Sequence, residues 1–397
     1  MSRLVAARAG LGEKARAGLF DEARERLLLT ANLADVLGEH AYYGQNIPGM
    51  FYYYLKAIRA ARAAGSFAPA SGACSAVAGT LQILGLDRVA AEYFGCARQT
   101  ADSGALAHAD VAEGALLASR GRWDDGERLI RQGWTLAAAI NDKVNQGKAA
   151  EAFGILDELQ NPAKAHGWRS MQLDLARWTG VLLHECWALA GVCAGELERD
   201  RPAAATRALE ELAARLSRAD ATTEFRYRSL GAAVKLRNGD PGTAASLADA
   251  ALAHLQPPNG PSLLAAYGAL AETAIALAVA RTGGRKAALE RARLACKAEK
   301  TFAGMFPFAK ARHLRHQAAL ARAEGLAAKA RQILGTAVAA ARAAGALHDE
   351  AAALAELAGL LPDGAEARAH LERAGELRTR LDAEPGRTLM SDALVPA

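Results

Sequence analysis

A pattern of small and large residues recurs after glycine turns along the 397-residue chain, and it limits the folds available. In six segments a small residue stands five positions after a turn glycine. A mostly apolar residue follows four positions later, and a second small residue three positions after that. The first small positions are Ala23, Ala90, Gly126, Ala244, Ala288 and Ala330. Because residues at this spacing share one helix face, the pattern predicts helices that pack closely in a repeating stack.

Two of these small positions are glycines in one predicted helix, in the segment GRWDDGERLIRQG over 121–133. Glycine inside a helix costs about 1 kcal/mol relative to alanine. Gly126 and Gly133 stand where other segments carry alanine or threonine, so we interpret them as sites of close approach between helices. Replacement of Gly126 by leucine is expected to destabilise the stack by about 1–3 kcal/mol through overpacking.

Turn signals divide the whole chain at a nearly regular interval. They fall near positions 18, 48, 85, 121, 160, 200, 239, 283, 325 and 362. The interval is the length of two antiparallel helices with short connections. Alanine is abundant and only 12 prolines are present, which favours helix throughout. The sequence therefore predicts an all-α fold, a single α-solenoid of about nine or ten antiparallel helical hairpins over 1–383, followed by a flexible tail over 384–397.

The pattern resembles the tetratricopeptide repeat (TPR). The match is best in one segment, where the corresponding residues are Gly114, Leu117, Gly121, Trp123, Gly126, Ile130 and Gly133. The early tryptophan and closing proline of that family are mostly absent, and the C-terminal repeats are longer than 34 residues. The resemblance implies a right-handed superhelix that binds proteins or peptides on its concave surface.

The order of several longer segments is similar to a narrower group. AYYGQNIPGMFYYYLKAIRAARAAG and TFAGMFPFAKARHLRHQAALARAEGLAAKARQIL resemble parts of the C-terminal repeat arm of large bacterial signalling ATPases, class III adenylyl cyclase fusions and MalT-like regulators. This resemblance implies a non-catalytic sensor or partner-docking arm. The partner would be a protein or peptide, with an acidic segment or an ATPase or cyclase module as candidates.

Signatures of catalysis and of cofactor binding are missing from the sequence. It has no G-x-x-x-x-G-K-[ST], H-E-x-x-H or G-x-S-x-G motif, so we expect neither an enzyme nor a cofactor. His313 and His316 share a predicted helix face, but no third ligand is close in sequence and Arg312 and Arg315 would repel a cation. We therefore predict no metal site.

The N-terminus, the apolar runs and the cysteines predict where in the cell the protein is located. The N-terminus carries charges throughout, no run of 18 apolar residues occurs, and the five cysteines are scattered. These features predict a cytoplasmic protein with reduced thiols and no contact with a membrane.

Positive charge is concentrated between positions 281 and 331, which hold 13 lysines and arginines against 3 acidic residues. If Gly325 is the turn glycine, the repeat register places Arg312, Arg315 and Arg322 on the inner groove. Arg226 and Arg281 join them from preceding repeats. Such a groove suits an acidic peptide, a phosphate-bearing ligand or an acidic domain.

Three alternatives remain open for this chain. The basic zone is either a solvated face or the contact surface of a DNA-linked transcriptional regulator arm, although no nucleic-acid-binding motif accompanies it. An enzyme on a helical-repeat scaffold is the third. For the groove interpretation, we expect Arg312→Glu combined with Arg315→Glu to weaken partner binding without unfolding the chain.

Overall fold

All regular elements over the described part of the chain are helical. The computed structural model describes residues 21–43, 46–100, 102–160, 162–258, 260–280, 285–362 and 364–383. The first nine α-helices are α1 Asp21–Tyr43, α2 Ile47–Ala64, α3 Ser71–Ile83, α4 Asp87–Ala97, α5 Ser103–Ser119, α6 Trp123–Ala139, α7 Lys143–Gln160, α8 Pro162–Thr179 and α9 Leu182–Glu198. The next nine are α10 Pro202–Ala213, α11 Ala221–Arg237, α12 Pro241–Ala253, α13 Leu264–Ala280, α14 Arg285–Met305, α15 Lys310–Ala323, α16 Ala327–Ala344, α17 Leu347–Ala358 and α18 Ala365–Ala383.

Consecutive helices form hairpins. Helices of 11 or more residues are joined by short connections, and pairs such as α3 with α4 or α15 with α16 pack on each other. A three-residue connection spans only about 10 Å, so helices in contact along their length must run antiparallel. The 18 helices over the described residues pair as nine hairpins. The predicted all-α class of stacked helical hairpins is confirmed, whereas the predicted tail over 384–397 lies outside the described residues.

The turns inside the hairpins share one backbone conformation. Gly85, Gly121, Gly239 and Gly325 have φ between 78° and 84°. The glycine amide donates to the carbonyl three residues earlier, and the next amide donates to the carbonyl five residues earlier. This is the Schellman helix end, which needs a left-handed residue and so favours glycine. Asp200 makes the same turn without glycine, at φ 54°. The turns predicted at 85, 121, 200, 239 and 325 are confirmed, and those at 18 and 283 lie outside the described residues.

Contacts between residues divide the chain into two compact units. Unit 1 comprises Met1–Leu116 and Arg128–Gln146, and unit 2 comprises Leu117–Glu127 and Gly147–Ala397. In unit 1 the core of α1 to α3 is built largely from alanine, with Met50 and Tyr54 as larger members. Asp35 of α1 accepts a hydrogen bond of 2.6 Å from the amide of Ala73 at the start of α3. Small side chains thus bring these helices close enough for direct polar contacts between them.

The small positions of the repeat pattern are almost all buried. Gly126 and Gly133 are buried, as are Ala90, Ala244, Ala288 and Ala330, whereas Ala23 is exposed on α1. At Gly133, within unit 1, the neighbouring helix comes very close. A Cβ atom there would lie 2.7 Å from the carbonyl oxygen of Ala107 and 2.7 Å from Cγ2 of Val111. Helix α6 therefore approaches α5 more closely than any side chain at position 133 permits.

In unit 2 the first helices of successive hairpins form a continuous row. Helix α9 contacts α11, α11 contacts α13, α13 contacts α15 and α15 contacts α17. The second helices α10, α12, α14, α16 and α18 pack on the row from their own hairpins. This arrangement is that of an α-solenoid, and it places residues of α9 to α17 next to one another although they are about 40 residues apart in the chain. We refer to α9, α11, α13, α15 and α17 as the first-helix row.

One segment of the first-helix row is apolar enough to cross a membrane. Pro261–Ala280, which contains α13, meets the length and composition criteria for a membrane span among the described residues. Two thirds of that segment is buried inside the protein. Leu270 and Leu277 are 0% and 1% exposed. A central core helix surrounded by other helices has the same apolar composition.

Unit 2 also contains a contact between residues far apart in sequence. The indole Nε1 of Trp123, at the start of α6, donates a hydrogen bond to the carbonyl oxygen of Ala344 at the end of α16. The indole lies against Gly345, where a Cβ atom would be 3.3 Å from Nε1. Gly345 is also the left-handed residue that ends α16, at φ 64°. Gly345 therefore both ends α16 and leaves room for the indole of Trp123.

Candidate functional site

The structure places the predicted groove arginines in different environments. Arg226 on α11 and Arg312 on α15 are buried, with 5% and 8% of their surface exposed. Arg315 is largely buried on α15, and Arg322 is exposed near the end of the same helix. Arg281 lies outside the described residues. The structure brings Arg312 and Arg315 together in one cluster and leaves Arg322 in contact with solvent.

Arg312 is surrounded by carboxylates from three other helices. Its Nη1 atom lies 3.0 Å from Oε1 of Glu158 on α7. Nη2 lies 3.7 Å from Oε1 of Glu198 at the end of α9, and Nε lies 3.6 Å from Oδ1 of Asp349 on α17. Desolvation of a guanidinium is costly, and these carboxylates offset it.

Arg315 extends the same cluster toward α17. It donates from Nη1 to Oδ1 of Asp349 at 2.9 Å and from Nη2 to Oε1 of Glu356 at 2.7 Å. Burial alone would raise the pKa of Asp349, but Arg312 and Arg315 hold it below its ordinary value. We call the set Glu158, Glu198, Arg312, Arg315, Asp349 and Glu356 the ion cluster.

Glu198 differs from the other acids of the ion cluster. Burial of its carboxyl group, together with the negative charges of Glu158 and Asp349, raises the pKa of Glu198 to about 8, although Arg312 acts in the opposite direction. Its side chain still keeps 27% of its surface exposed. The raised pKa favours the neutral carboxyl group of Glu198, which limits the repulsion among acids gathered around one arginine.

The ion cluster corrects one expectation from the sequence. Substitution of glutamate at both Arg312 and Arg315 would gather six acidic side chains in a largely buried space and remove both arginines of the ion cluster. An uncompensated buried charge costs several kcal/mol. The double substitution is therefore expected to unfold unit 2, and it does not isolate partner binding from stability.

Arg226 lies in a separate polar pocket. Its Nη2 atom donates to Oγ of Ser262 at 2.6 Å, and its guanidinium carbon lies 5.3 Å from the ring centroid of Trp187. The same pocket is lined by Arg169 of α8 and by Gly191 of α9. Arg226 and Trp187 sit on the first-helix row, where partner contacts were predicted.

The two histidines considered as metal ligands bind a carboxylate. Nδ1 of His316 lies 2.7 Å from Oε1 of Glu299 on α14, and Nδ1 of His313 lies 3.3 Å from Oε2 of the same residue. Burial opposes protonation of His316, but Glu299 outweighs it and raises the pKa of the imidazole. No group of three or more ligand side chains among the described residues has the arrangement to hold a metal ion.

Carboxylates also neutralise other parts of the basic zone. Arg291 forms a bidentate pair with Asp249, at 2.5 Å and 2.6 Å. Arg293 lies 2.8 Å from Glu324 and also pairs with Glu290. The positive charge of the sequence window is therefore partly balanced by acids, some of them outside the window.

Sequence reasoning did not identify several important residues of these sites. Glu158, Glu198, Asp349, Glu356, Arg169 and Trp187 were not among the predicted site residues. A signal for Arg169 exists in the sequence, because Gly154 and Gly191 interrupt two helices away from any turn. Interior glycines on neighbouring helices indicate a bulky group between them.

Comparison with known proteins finds distant structural similarity alone. No protein-family model matches the chain, and no curated protein matches it. Among solved structures, a monomeric IFIT1 mutant with Gppp-AAAA shares 11% identity, with 93% of this chain and 96% of that chain covered and a TM-score of 0.45. The TPR domain of P58(IPK) shares 14% identity, with coverage of 88% and 98% and a TM-score of 0.23. At these values the fold class rests on the hairpins and their turns, which define a helical-repeat scaffold.

Proposed function

We propose that the chain is a non-catalytic scaffold that binds a protein or peptide through the first-helix row. We further propose that it acts as the sensor or partner-docking arm of a signalling ATPase or adenylyl cyclase. The observation that carries the first proposal is the row itself, in which α9 to α17 contact one another in order. Extended rows of this kind provide binding surfaces for segments longer than one hairpin.

An exposed arginine on the row favours an acidic partner. Arg226 and Arg312 are separated along the row only by α13. Gly268 of α13 faces Arg312, and a Cβ atom there would make an ordinary contact, 3.5 Å from Cδ of that arginine. Arg322 adds an exposed cation on α15. An acidic segment placed along the row would meet Arg322, whereas Arg312 is already paired with Glu158 and Asp349.

A selection experiment tests partner binding directly. Peptide libraries of acidic, neutral and basic composition are displayed against the purified chain, and selected peptides are titrated by isothermal calorimetry. The proposal predicts acidic peptides with micromolar affinity. Arg322→Glu on the first-helix row should weaken their binding about tenfold. Arg207→Glu is the matched control, because Arg207 is also exposed but lies on the second helix α10.

Two outcomes would overturn the scaffold proposal. One is the absence of any selected peptide, and the other is an equal effect of the Arg322 and Arg207 substitutions. Binding to duplex DNA that weakens steeply with salt would favour the DNA-linked regulator instead.

The arm proposal has its own test. A signalling ATPase or cyclase encoded beside this chain is assayed for ATP turnover with and without the chain. Turnover is expected to change on addition of the chain, and an unchanged rate together with no co-purification would overturn the arm proposal while leaving peptide binding intact.

A further inference from the structure

A small cavity in unit 2 has a positively charged wall. It lies where α8, α9, α11 and the start of α13 meet, and it encloses about 270 Å³ with its open mouth included. Both ionisable side chains that line it, among the described residues, are arginines, Arg169 and Arg226. That volume includes open solvent, so the enclosed space is far below that of a site for a drug-sized ligand and has room for one small group.

Arg169 is buried, yet all of its polar contacts are long. Nη1 lies 3.5 Å from the carbonyl oxygen of Glu151 and 3.5 Å from Oε1 of Gln172. Nη2 lies 3.6 Å from Oε2 of Glu158, whose other oxygen is 3.0 Å from Arg312. Charge-assisted hydrogen bonds of guanidinium groups usually measure about 2.7–2.9 Å. Arg169 therefore has donors that a closer acceptor would satisfy better.

Two glycines create the space that Arg169 occupies. A Cβ atom at Gly154 of α7 would lie 2.8 Å from Nε of Arg169, and one at Gly191 of α9 would lie 2.5 Å from Cδ. Each interior glycine costs its helix about 1 kcal/mol relative to alanine. Gly154 and Gly191 thus lower the stability of their helices but leave room for the buried side chain of Arg169 beside the cavity.

The remaining walls supply a second cation, a hydroxyl group and a flat ring. Arg226 donates to Oγ of Ser262 at 2.6 Å, which leaves the hydroxyl hydrogen of Ser262 free to be donated in turn. The Trp187 ring lies against the guanidinium of Arg226 and limits its movement. These groups offer hydrogen-bond donors from two sides of the cavity.

We propose that this cavity binds a single oxyanion group of phosphate size, held between Arg169 and Arg226 with the Ser262 hydroxyl as a further donor. Guanidinium groups match the oxygens of phosphate in a bidentate manner, and a tetrahedral oxyanion has enough acceptors for donors from several directions. The group is either free phosphate or a phosphoryl group on a larger ligand. In the second case the site deepens the proposed partner-binding function, on which it then rests for its ligand.

Calorimetric titration of the full chain tests this site. The titrants are inorganic phosphate, phenyl phosphate and acetate, each at constant ionic strength in chloride. One molecule of phosphate or phenyl phosphate is expected to bind per chain, and acetate is expected to bind more weakly. Tighter binding of phenyl phosphate than of phosphate would assign the site to phosphoryl groups of larger ligands, and the reverse order would assign it to the free ion.

Substitutions locate the site. Arg226→Gln is expected to weaken phosphate binding about tenfold or more, and Ser262→Ala to weaken it several-fold. Ser262 is only half-buried, so Ser262→Ala keeps the test decisive if Arg226→Gln fails to fold. Arg207→Gln and Arg331→Gln, which alter exposed arginines on the second helices α10 and α16, should leave binding unchanged.

Three results would overturn the inference. These are no heat of binding with any oxyanion, unchanged binding in Ser262→Ala, or an equal loss in the two exposed-arginine controls. A chain that binds acidic peptides but no phosphate would overturn this inference alone, and the proposed scaffold function would stand.

Discussion

Nη1 of Arg312 and Oε1 of Glu158 lie 3.0 Å apart although 154 residues separate them in the chain. Each side chain keeps only 9% of its surface exposed. The pair joins α7 to α15 within unit 2, and Asp349 and Glu198 complete the surroundings of the guanidinium. Charges buried in this way stabilise the fold only while all partners are present.

Removal of Arg312, the central cation of the ion cluster, should therefore strongly lower the free energy of unfolding. Arg312→Ala leaves Glu158 and Asp349 without their common partner and is expected to lower the free energy of unfolding by about 3–5 kcal/mol. Chemical denaturation followed by circular dichroism measures the change. Arg322→Ala on the same helix should alter the free energy by less than about 0.5 kcal/mol, since that side chain is exposed. Similar effects of the two substitutions would contradict the assigned role of the ion cluster.

The close contact between helices at Gly133 predicts that alanine at this position lowers stability. The added Cβ atom would lie 2.7 Å from the carbonyl oxygen of Ala107, so Gly133→Ala is expected to destabilise unit 1 by about 1–3 kcal/mol despite the better helix propensity of alanine. Gly95→Ala is the matched control. Gly95 lies in helix α4, and nothing lies within 4 Å of its Cβ position. This control should gain up to about 1 kcal/mol, and a loss of stability there would undermine the comparison.

The shared turn conformation predicts opposite effects at two hairpins. Asp200 holds φ 54° in the same turn that Gly239 makes at φ 78°. A residue with a Cβ atom pays about 1 kcal/mol in this left-handed region. Asp200→Gly should therefore gain a few tenths of a kcal/mol to about 1 kcal/mol, whereas Gly239→Ala should lose about 1 kcal/mol. The exposed pair between Asp200 and Arg237 contributes little to the difference. Thermal unfolding midpoints that shift in the same direction for both would contradict this reading of the turn.

The ionisation of His316 and Glu299 in unit 2 predicts that stability falls at both alkaline and acid pH. The pKa of His316 is raised by Glu299 against the effect of burial, with Glu272 assisting and Arg315 opposing. Its stabilisation is fully present below its unfolded pKa near 6.5 and is lost as pH rises through the raised folded pKa. The pKa of Glu299 is held down by His316 and His313 against the effect of burial, so stability also falls as acid protonates that carboxylate.

Substitutions separate these contributions. His316→Gln should reduce the loss of unfolding free energy between neutral and alkaline pH. His184 behaves in the opposite way, because burial, aided by Lys148, lowers the pKa of its ring to about 4. A buried neutral imidazole costs stability as pH falls below 6.5, and His184→Gln should reduce that loss. Urea denaturation at a series of pH values gives both slopes, and wild-type slopes in the two variants would contradict the assignments.

Local features of the fold were predictable from the sequence. The Schellman turn is determined by a few consecutive residues, so Gly85, Gly121 and Gly239 were identified from their place between helical segments. The small positions were predictable for a similar reason. Their spacing recurs within single helices, and the same spacing indicates the same close packing in each repeat. Ala23 follows the pattern yet is exposed, because burial depends on a neighbouring helix that the spacing does not specify.

The partners of the arginines were not predictable in the same way. The repeat register places Arg312 on the inner groove, but it does not identify which other hairpins approach it. Glu158, Glu198 and Asp349 come from three helices, and only the folded arrangement brings their carboxylates to one guanidinium. A groove that was expected to await an acidic partner is thus filled at Arg312 by acids of the chain itself.

The contact between Trp123 and Ala344 has a consequence for how the chain folds. In a stack whose hairpins touch only their neighbours, unfolding can begin at an end and proceed one repeat at a time. The indole of Trp123 bonds to a carbonyl 221 residues away, so unit 2 contains a contact of very high sequence separation. Closing so long a loop is slow, and once closed it links the opening of distant hairpins. The hairpins that hold Trp123 and Ala344 should therefore open together and not one repeat at a time.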